Sequence, residues 1–184
     1  MMRIASVLLL WGAICASAPI ALSSSLMPLA PVEAQTEATR PSRAPQLLEA
    51  TTTNNRVRSR YAQYRITLAS PADAQPIEAI QIQQRSGTEA IQLRLDQTRV
   101  WVNGAAWAIA SHSGNGHTEP LILTFADPIP PNSAIVLQLR PHYNPRWGGE
   151  YSYGITVLMA EDFSLYLGPA RLRFYEGDRR IWFP

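Results

Sequence analysis

The chain has 184 residues, 46% hydrophobic and 16% charged, with a formal net charge of +2 at pH 7. That balance gives no electrostatic case for nucleic acid, because no basic block stands out to neutralise a phosphate backbone. All 16 basic residues are arginine, which excludes every mechanism built on a lysine nucleophile or Schiff base.

Residues 1–34 read as a secretory signal peptide: one early cation, Arg3, then a long apolar stretch, then small residues. Val32-Glu33-Ala34 puts small residues where a signal peptidase reads them, favouring cleavage before Gln35; the alternative cut after Ala18 would leave Pro19 beside it. No twin arginine precedes the apolar run, which points to export as an unfolded chain. Cys15 does not suit a lipid anchor, because Ile14 stands where a small residue is wanted. The rival reading is an uncleaved anchor, since Ile4 to Ile20 approaches the about 20 apolar residues of a spanning helix. Pro19 and the small polar residues after it favour cleavage, which leaves no integral span. It also removes the only cysteine, and with it any disulfide or thiolate metal site. About 150 residues remain, enough to bury close to 70% of the unfolded surface around one core.

Residues 35–46 include QTEATRPSRAP, a polar, proline-bearing leader with little to bury. The segment from Leu47 to Arg60 is open: Leu47 and Leu48 start an edge strand, or TTTNNRVRSR belongs to a loop. Period-two patterning then dominates, at Tyr64, Ile66 and Leu68, at Ile80 and Ile82, and at Ile91, Leu93 and Leu95. It continues at Leu121, Leu123 and Phe125, at Ile135, Leu137 and Leu139, at Tyr151, Tyr153, Ile155 and Val157, and at Leu172 and Phe174. Turn residues separate these runs, among them Ser86-Gly87, Asn103-Gly104, Asn115-Gly116 and Gly177. Short strands without a helical period predict an all-β, antiparallel two-layer sandwich of immunoglobulin-like type over 47–176, with room for one helical turn from Pro71 to Glu78.

The densest stretch is PHYNPRWGGEYSYGITVL, residues 141 to 158. Asn144-Pro145 and Gly148-Gly149 supply turn geometry, so the strand through Leu139 and the strand through Tyr151 are expected as neighbours. Gly154 falls on the opposite face, where close approach or a bulge calls for it. Tyr143, Arg146 and Trp147 are not required by the turn, and an aromatic beside arginine suits a sugar ring or a protein pocket.

The run LTFADPIPPNSAIVLQLRPHYNPRWGGEYSYGITVLMAE, followed by LYLGPARLRFY, resembles the secreted cyanobacterial domain-of-unknown-function family 2808. The shared features fall on Phe125, Pro128, Pro131, Arg140-Pro141, Asn144-Pro145, Tyr151, Tyr153-Gly154, Leu167-Gly168, Arg171-Leu172 and Phe174-Tyr175. The upstream segments YAQYRITLAS, IEAIQIQQRSG and LDQTRVWVNG follow the family's order, so the resemblance runs from about Leu47 to Tyr175. Where the family is richer in glycine at the proline turn, this chain has Pro131-Asn132-Ser133. The resemblance implies an exported β-domain of a cyanobacterium-like cell and supplies no catalytic residue.

Other chemistry is sparse. His112, His117 and His142, with Glu119 or Asp127, offer metal-ligand types without a metal-site spacing. No Gly-x-Ser-x-Gly elbow accompanies Ser111 or Ser113, Glu161-Asp162 sit in a turn-like segment, and no glycine-rich phosphate loop opens a helix. Arg171 and Arg173 share an outer strand face, suited to solvation or to an anion. The expected function is therefore an exported, non-catalytic binding or structural module of the periplasm or cell envelope, without cofactor, whose partner is an envelope protein or polysaccharide. The thylakoid lumen and the medium are further destinations. Carbohydrate binding or modification through Tyr143 and Trp147 is the alternative, ahead of a metal carrier.

The tail at 177–184 places Trp182 and Phe183 after Arg179-Arg180, apolar bulk that must dock on its own domain or meet a partner. Truncation at Gly177 separates the two. Docking predicts a large fall in melting temperature, whereas unchanged stability with lost partner or membrane retention rejects it.

Overall fold

A computed structural model describes residues 44–160 and 163–176. The export signal over 1–34, the leader up to residue 43, Glu161-Asp162 and the tail, with Arg179, Arg180, Trp182 and Phe183, lie outside the described residues. Ten strands follow in chain order: β1 (Gln46–Thr52), β2 (Tyr64–Ser70), β3 (Ile77–Ser86), β4 (Arg99–Val102), β5 (Ala105–Trp107), β6 (Ile109–Ser113), β7 (Leu121–Ile129), β8 (Ser133–Leu139), β9 (Gly149–Met159) and β10 (Ser164–Phe174). They form two five-stranded antiparallel sheets, ordered β1-β2-β8-β4-β5 and β10-β9-β3-β7-β6. The fold is the all-β sandwich that the alternation predicts.

The alternating side chains explain the two layers. On β2 the buried Tyr64, Ile66 and Leu68 alternate with Arg65, Thr67 and Ala69, and on β8 Ile135, Leu137 and Leu139 do the same. They meet Ile80, Ile82, Leu121, Leu123, Ile155 and Val157 of the other sheet in one hydrophobic cluster. Each such buried side chain contributes roughly 2 kcal/mol through area removed from water. The edges are closed in different ways. On one side the chain passes from β5 to β6 through Ala108 alone, changing sheets, and the Trp107 indole donates to the Asp127 carbonyl (2.9 Å). On the other, the β1–β2 loop pairs with the end of β10, where Val57 N donates to Tyr175 O (3.1 Å) and Tyr175 N to Asn55 O (2.8 Å).

Local signals hold where geometry is local. Asn103 and Gly104 both have positive φ (50° and 82°), joining β4 to β5 in the two-residue turn this dipeptide favours. Leu47 does lie in an edge strand, and TTTNNRVRSR runs from its end into the loop. Gly154 faces away from the core, and a Cβ there would come within 2.9 Å of the Arg85 side chain and 3.2 Å of Tyr166, so close approach is its reason.

Three expectations are corrected. β8 and β9 are not neighbours: β8 pairs with β2 and β4, β9 with β3 and β10, and the loop between them crosses the about 10 Å between sheets. Ile91, Leu93 and Leu95 alternate without forming a ladder. Leu93 makes a single bridge to Pro141 before a 3-10 turn at Leu95–Gln97, and Ile91 N is taken by the Gln84 side chain (2.9 Å). The interval from Pro71 to Glu78 holds a turn closed by Ala74 N to Pro71 O (3.2 Å), not a helix; Pro76 biases Gln75 toward extended geometry and Ile77 enters β3.

Four aromatics form one end of the core. Tyr64 lies 6.3 Å from Tyr153 and 5.7 Å from Phe174 by ring centroids, and Tyr151 meets Phe174 edge-on at 5.5 Å. Burial holds the Tyr64 and Tyr153 phenols far above the usual phenol range, with neighbouring tyrosines adding to the effect. The Tyr153 hydroxyl is buried with no hydrogen-bond partner among the described residues. Because both folded-state values lie above the unfolded value near 10, stability is intact below that pH and falls as pH rises through it. Tyr153→Phe should leave urea stability unchanged or raise it by up to about 1 kcal/mol at pH 7, with a shallower decline in alkali. A clear loss at pH 7 would contradict the unpartnered hydroxyl.

Candidate functional site

The Asn-Pro loop between β8 and β9 is built around a side chain and not only around a turn. Asn144 is 2% exposed, and its amide oxygen accepts from the Tyr64 hydroxyl (3.0 Å). Its amide nitrogen donates to the carbonyls of Asn54 and Arg56, both at 2.8 Å. The backbones agree: Asn144 N donates to Ser59 O (2.7 Å) and Arg58 N to Pro145 O (2.9 Å). Arg58 sits at φ 60°, a left-handed conformation that costs a non-glycine residue roughly 1 kcal/mol, which these bonds offset. One amide thus ties together the β1–β2 loop, the β8–β9 loop and the core tyrosine.

This base presents an aromatic and cationic surface. Tyr143 and Trp147 are 52% and 54% exposed, so they do not fold back over the sandwich end; Tyr61 and Tyr175 are exposed too. The Arg60 guanidinium lies 6.0 Å from the Tyr143 ring centroid, within cation–π reach, and His142 packs at 6.2 Å. Arg146 N donates to the Glu89 carboxylate. Tyr143 and Arg146 line a groove of about 210 Å³ with Glu89, Ile91 and Gln92, whereas Trp147 lies outside its lining and gives its carbonyl to the Tyr151 hydroxyl (3.2 Å). Asn144, Arg60, Tyr61 and Glu89 escape the sequence reading. Asn-Pro reads locally as a turn, and nothing near it signals a bond to a residue 80 positions away.

The histidines are dispersed. His112 lies exposed on β6 opposite Leu123, His117 follows Asn115 in the next loop, and His142 lies in the β8–β9 loop. No three histidine, cysteine or carboxylate residues converge among the described residues. Asn115 organises its own loop, its amide oxygen accepting from His117 N (2.9 Å), Thr118 N (3.0 Å) and Glu119 N (3.3 Å). Arg171 and Arg173 share Glu150 on β9 at 3.7 and 3.4 Å, exposed contacts of small energetic worth. Hydrogen bonds to Tyr175 and Glu150 raise the Arg173 pKa. A wider groove of about 350 Å³ opens between Leu95–Arg99 and Ile109–His112, with Trp107 and Leu123 in its lining.

A two-sheet antiparallel sandwich carrying aromatic and arginine side chains on its interlocked end loops is the class of protein that this geometry defines. The chain belongs to the family described as Protein of unknown function (DUF2808), matched over residues 37–174. No curated protein matches it. Among solved structures it is similar to BslA, a bacterial hydrophobin (19% identity, covering 73% of this chain and 100% of that one, TM-score 0.45). It is also similar to the major pilin subunit of Bacillus cereus (12%, 73% and 41%, TM-score 0.49), where it spans less than half of that protein. The collagen-binding domain of a Staphylococcus aureus adhesin is a third (10%, 61% and 87%, TM-score 0.39). These similarities add nothing to the sandwich already described.

Replacing Asn144 with alanine should cost about 3 kcal/mol in urea denaturation, since it orphans a buried hydroxyl and two carbonyls. Tyr143→Ala, at the same loop's exposed tip, should stay within about 0.5 kcal/mol of the parent. Equal effects would show that Asn144 does not hold the loops.

Proposed function

We propose that this chain is an exported, non-catalytic binding or structural module of the periplasm or cell envelope, occupying residues 47–176, and that its loop end meets the partner. The observation that carries this reading is the half-exposure of Tyr143 and Trp147 above a rigid, hydrogen-bonded base. Large aromatics and arginines held in place lose little conformational entropy on binding and are the residues that anchor interfaces. Export rests on the apolar leader with Arg3 ahead of it and small residues at Val32 and Ala34. Among the described residues no helix is long and apolar enough to cross a membrane.

A second reading has its own support. Tyr143 stands beside a groove that also holds Glu89, Gln92 and Arg146, an aromatic face next to polar groups suited to sugar hydroxyls. Under this reading the partner is an envelope polysaccharide instead of a protein.

The test is isolation of the tagged protein from its own cells after mild crosslinking, with compartment fractionation, beside a Tyr143→Ala, Trp147→Ala double variant. The expected result is recovery in an exported fraction with one defined component, whose retention falls about tenfold in the variant at unchanged melting temperature. Equal retention by both proteins rejects the loop end as the contact, and recovery from the cytosol rejects export. A tryptophan fluorescence change on adding envelope polysaccharide, absent in Trp147→Ala, selects the second reading; silent titrations remove it.

A further inference from the structure

The two outer sheet faces differ in charge. On the outer face of the β10-β9-β3-β7-β6 sheet, Ile122, Gln81, Thr156 and Tyr166 form one cross-strand row, and Gln83, Gly154 and Pro169 another. It carries three arginines: Arg171 and Arg173 share Glu150, and the Arg85 side chain lies over Gly154 beside Tyr166. On the opposite face, register sets Arg65 of β2 beside Gln138 of β8, and Gln138 beside Arg99 of β4. Alternation with buried Tyr64, Ile66, Leu137, Leu139 and Val100 turns all three outward. Arg140 continues this face of the β8 strand, two residues after Gln138. Arg94 is set against it, with Arg94 N donating to Arg140 O (2.7 Å).

Four arginines therefore gather around one glutamine. Among the described residues none of them forms an ion pair. The Arg99 guanidinium donates to the backbone carbonyls of Asp96 and Thr98 (both 2.9 Å) and pairs with no carboxylate, and among the described residues Glu49, opposite Thr67, makes no ion pair with the cluster. The Nε atoms of Arg94 and Arg140 are buried and have no hydrogen-bond partner among the described residues, so no protein acceptor satisfies them there. Such groups are costly to leave unmatched.

We infer that this face is a binding platform for a linear acidic polysaccharide, one bearing uronate or sulfate groups. Arg65 and Arg99 stand two strands apart, about 10 Å, and the Arg94–Arg140 row lies about 7 Å along the strands. The area between these positions, roughly 70 Å², is much smaller than the about 800 Å² footprint of a stable protein partner, and it suits a chain with spaced charges. Guanidinium forks match carboxylate and sulfate oxygens. The hydroxyl of Thr51, opposite Arg65, and the amide of Gln138 can bond sugar hydroxyls. Trp101, 38% exposed on the next row and opposite Val136, offers a ring face for a pyranose. This platform uses none of Tyr143, Arg146 and Trp147 and stands apart from the reading given for them.

The experiment measures binding of the whole domain to polygalacturonate, dextran sulfate, neutral dextran, phosphatidylglycerol vesicles and a DNA duplex across a salt series. The expected result is salt-dependent binding to the two acidic polymers, with none to neutral dextran and weaker binding to vesicles and DNA. Arg65→Gln with Arg99→Gln should weaken it about tenfold or more and reduce the salt slope by about two. Trp101→Ala should weaken binding at an unchanged slope. Arg171→Gln with Arg173→Gln, and Tyr143→Ala with Trp147→Ala, should bind as the parent does. Arg65, Arg99 and Trp101 are exposed, so circular dichroism and melting temperature should match the parent in every variant. Failure of the parent to bind either polymer, equal loss in the Arg171 and Arg173 variant, or vesicles or DNA bound as tightly as the polymers would overturn the inference.

Discussion

The Asn144 side chain is the interaction on which the loop end of this molecule depends. A carboxamide has one acceptor and two donor hydrogens, and here the three partners are a core phenol and two carbonyls of a distant loop. Apolar packing alone would bring the two sheets together, but it is non-directional and would not set how the β1–β2 and β8–β9 loops lie on one another. A buried, saturated amide does so because each bond has a narrow geometry and each unmade bond a large cost. The left-handed Arg58 is tolerated in this setting, held by the Pro145 carbonyl.

The same end shows two treatments of tyrosine. Tyr64 buries its ring and hands its hydroxyl to Asn144, while Tyr153 buries both and leaves its hydroxyl without a partner among the described residues. Tyr143, one residue from Asn144, faces outward with an arginine near its ring. Within a few residues the chain therefore passes from a structural anchor to an exposed ring.

Charge is distributed by topology more than by composition. A net charge of +2 gives no hint of a local cationic face. Arg65, Arg94, Arg99 and Arg140 are scattered over 76 positions (140 less 65, counted inclusively) and meet only because β8 lies between β2 and β4. Arg171 and Arg173, adjacent in the pattern and conspicuous in the sequence, are instead placed opposite Ser152 and Glu150 respectively and share the Glu150 carboxylate.

By itself the sequence determined the all-β class, most of the strands, which of their residues face inward, the turn at Asn103-Gly104 and the need for glycine at 154. These are local properties: period-two alternation and turn chemistry are carried by residues a few positions apart. Local alternation also misled at Ile91, Leu93 and Leu95, where the backbone bonds go to a side chain and a single bridge in place of a neighbouring strand. Only the tertiary structure decided that β8 and β9 belong to different sheets, that Asn144 reaches Tyr64, and that four arginines share a face. Alternation assigns a side chain to the inside or the outside of a strand, but the identity of the neighbouring strand depends on contacts between residues far apart in the chain.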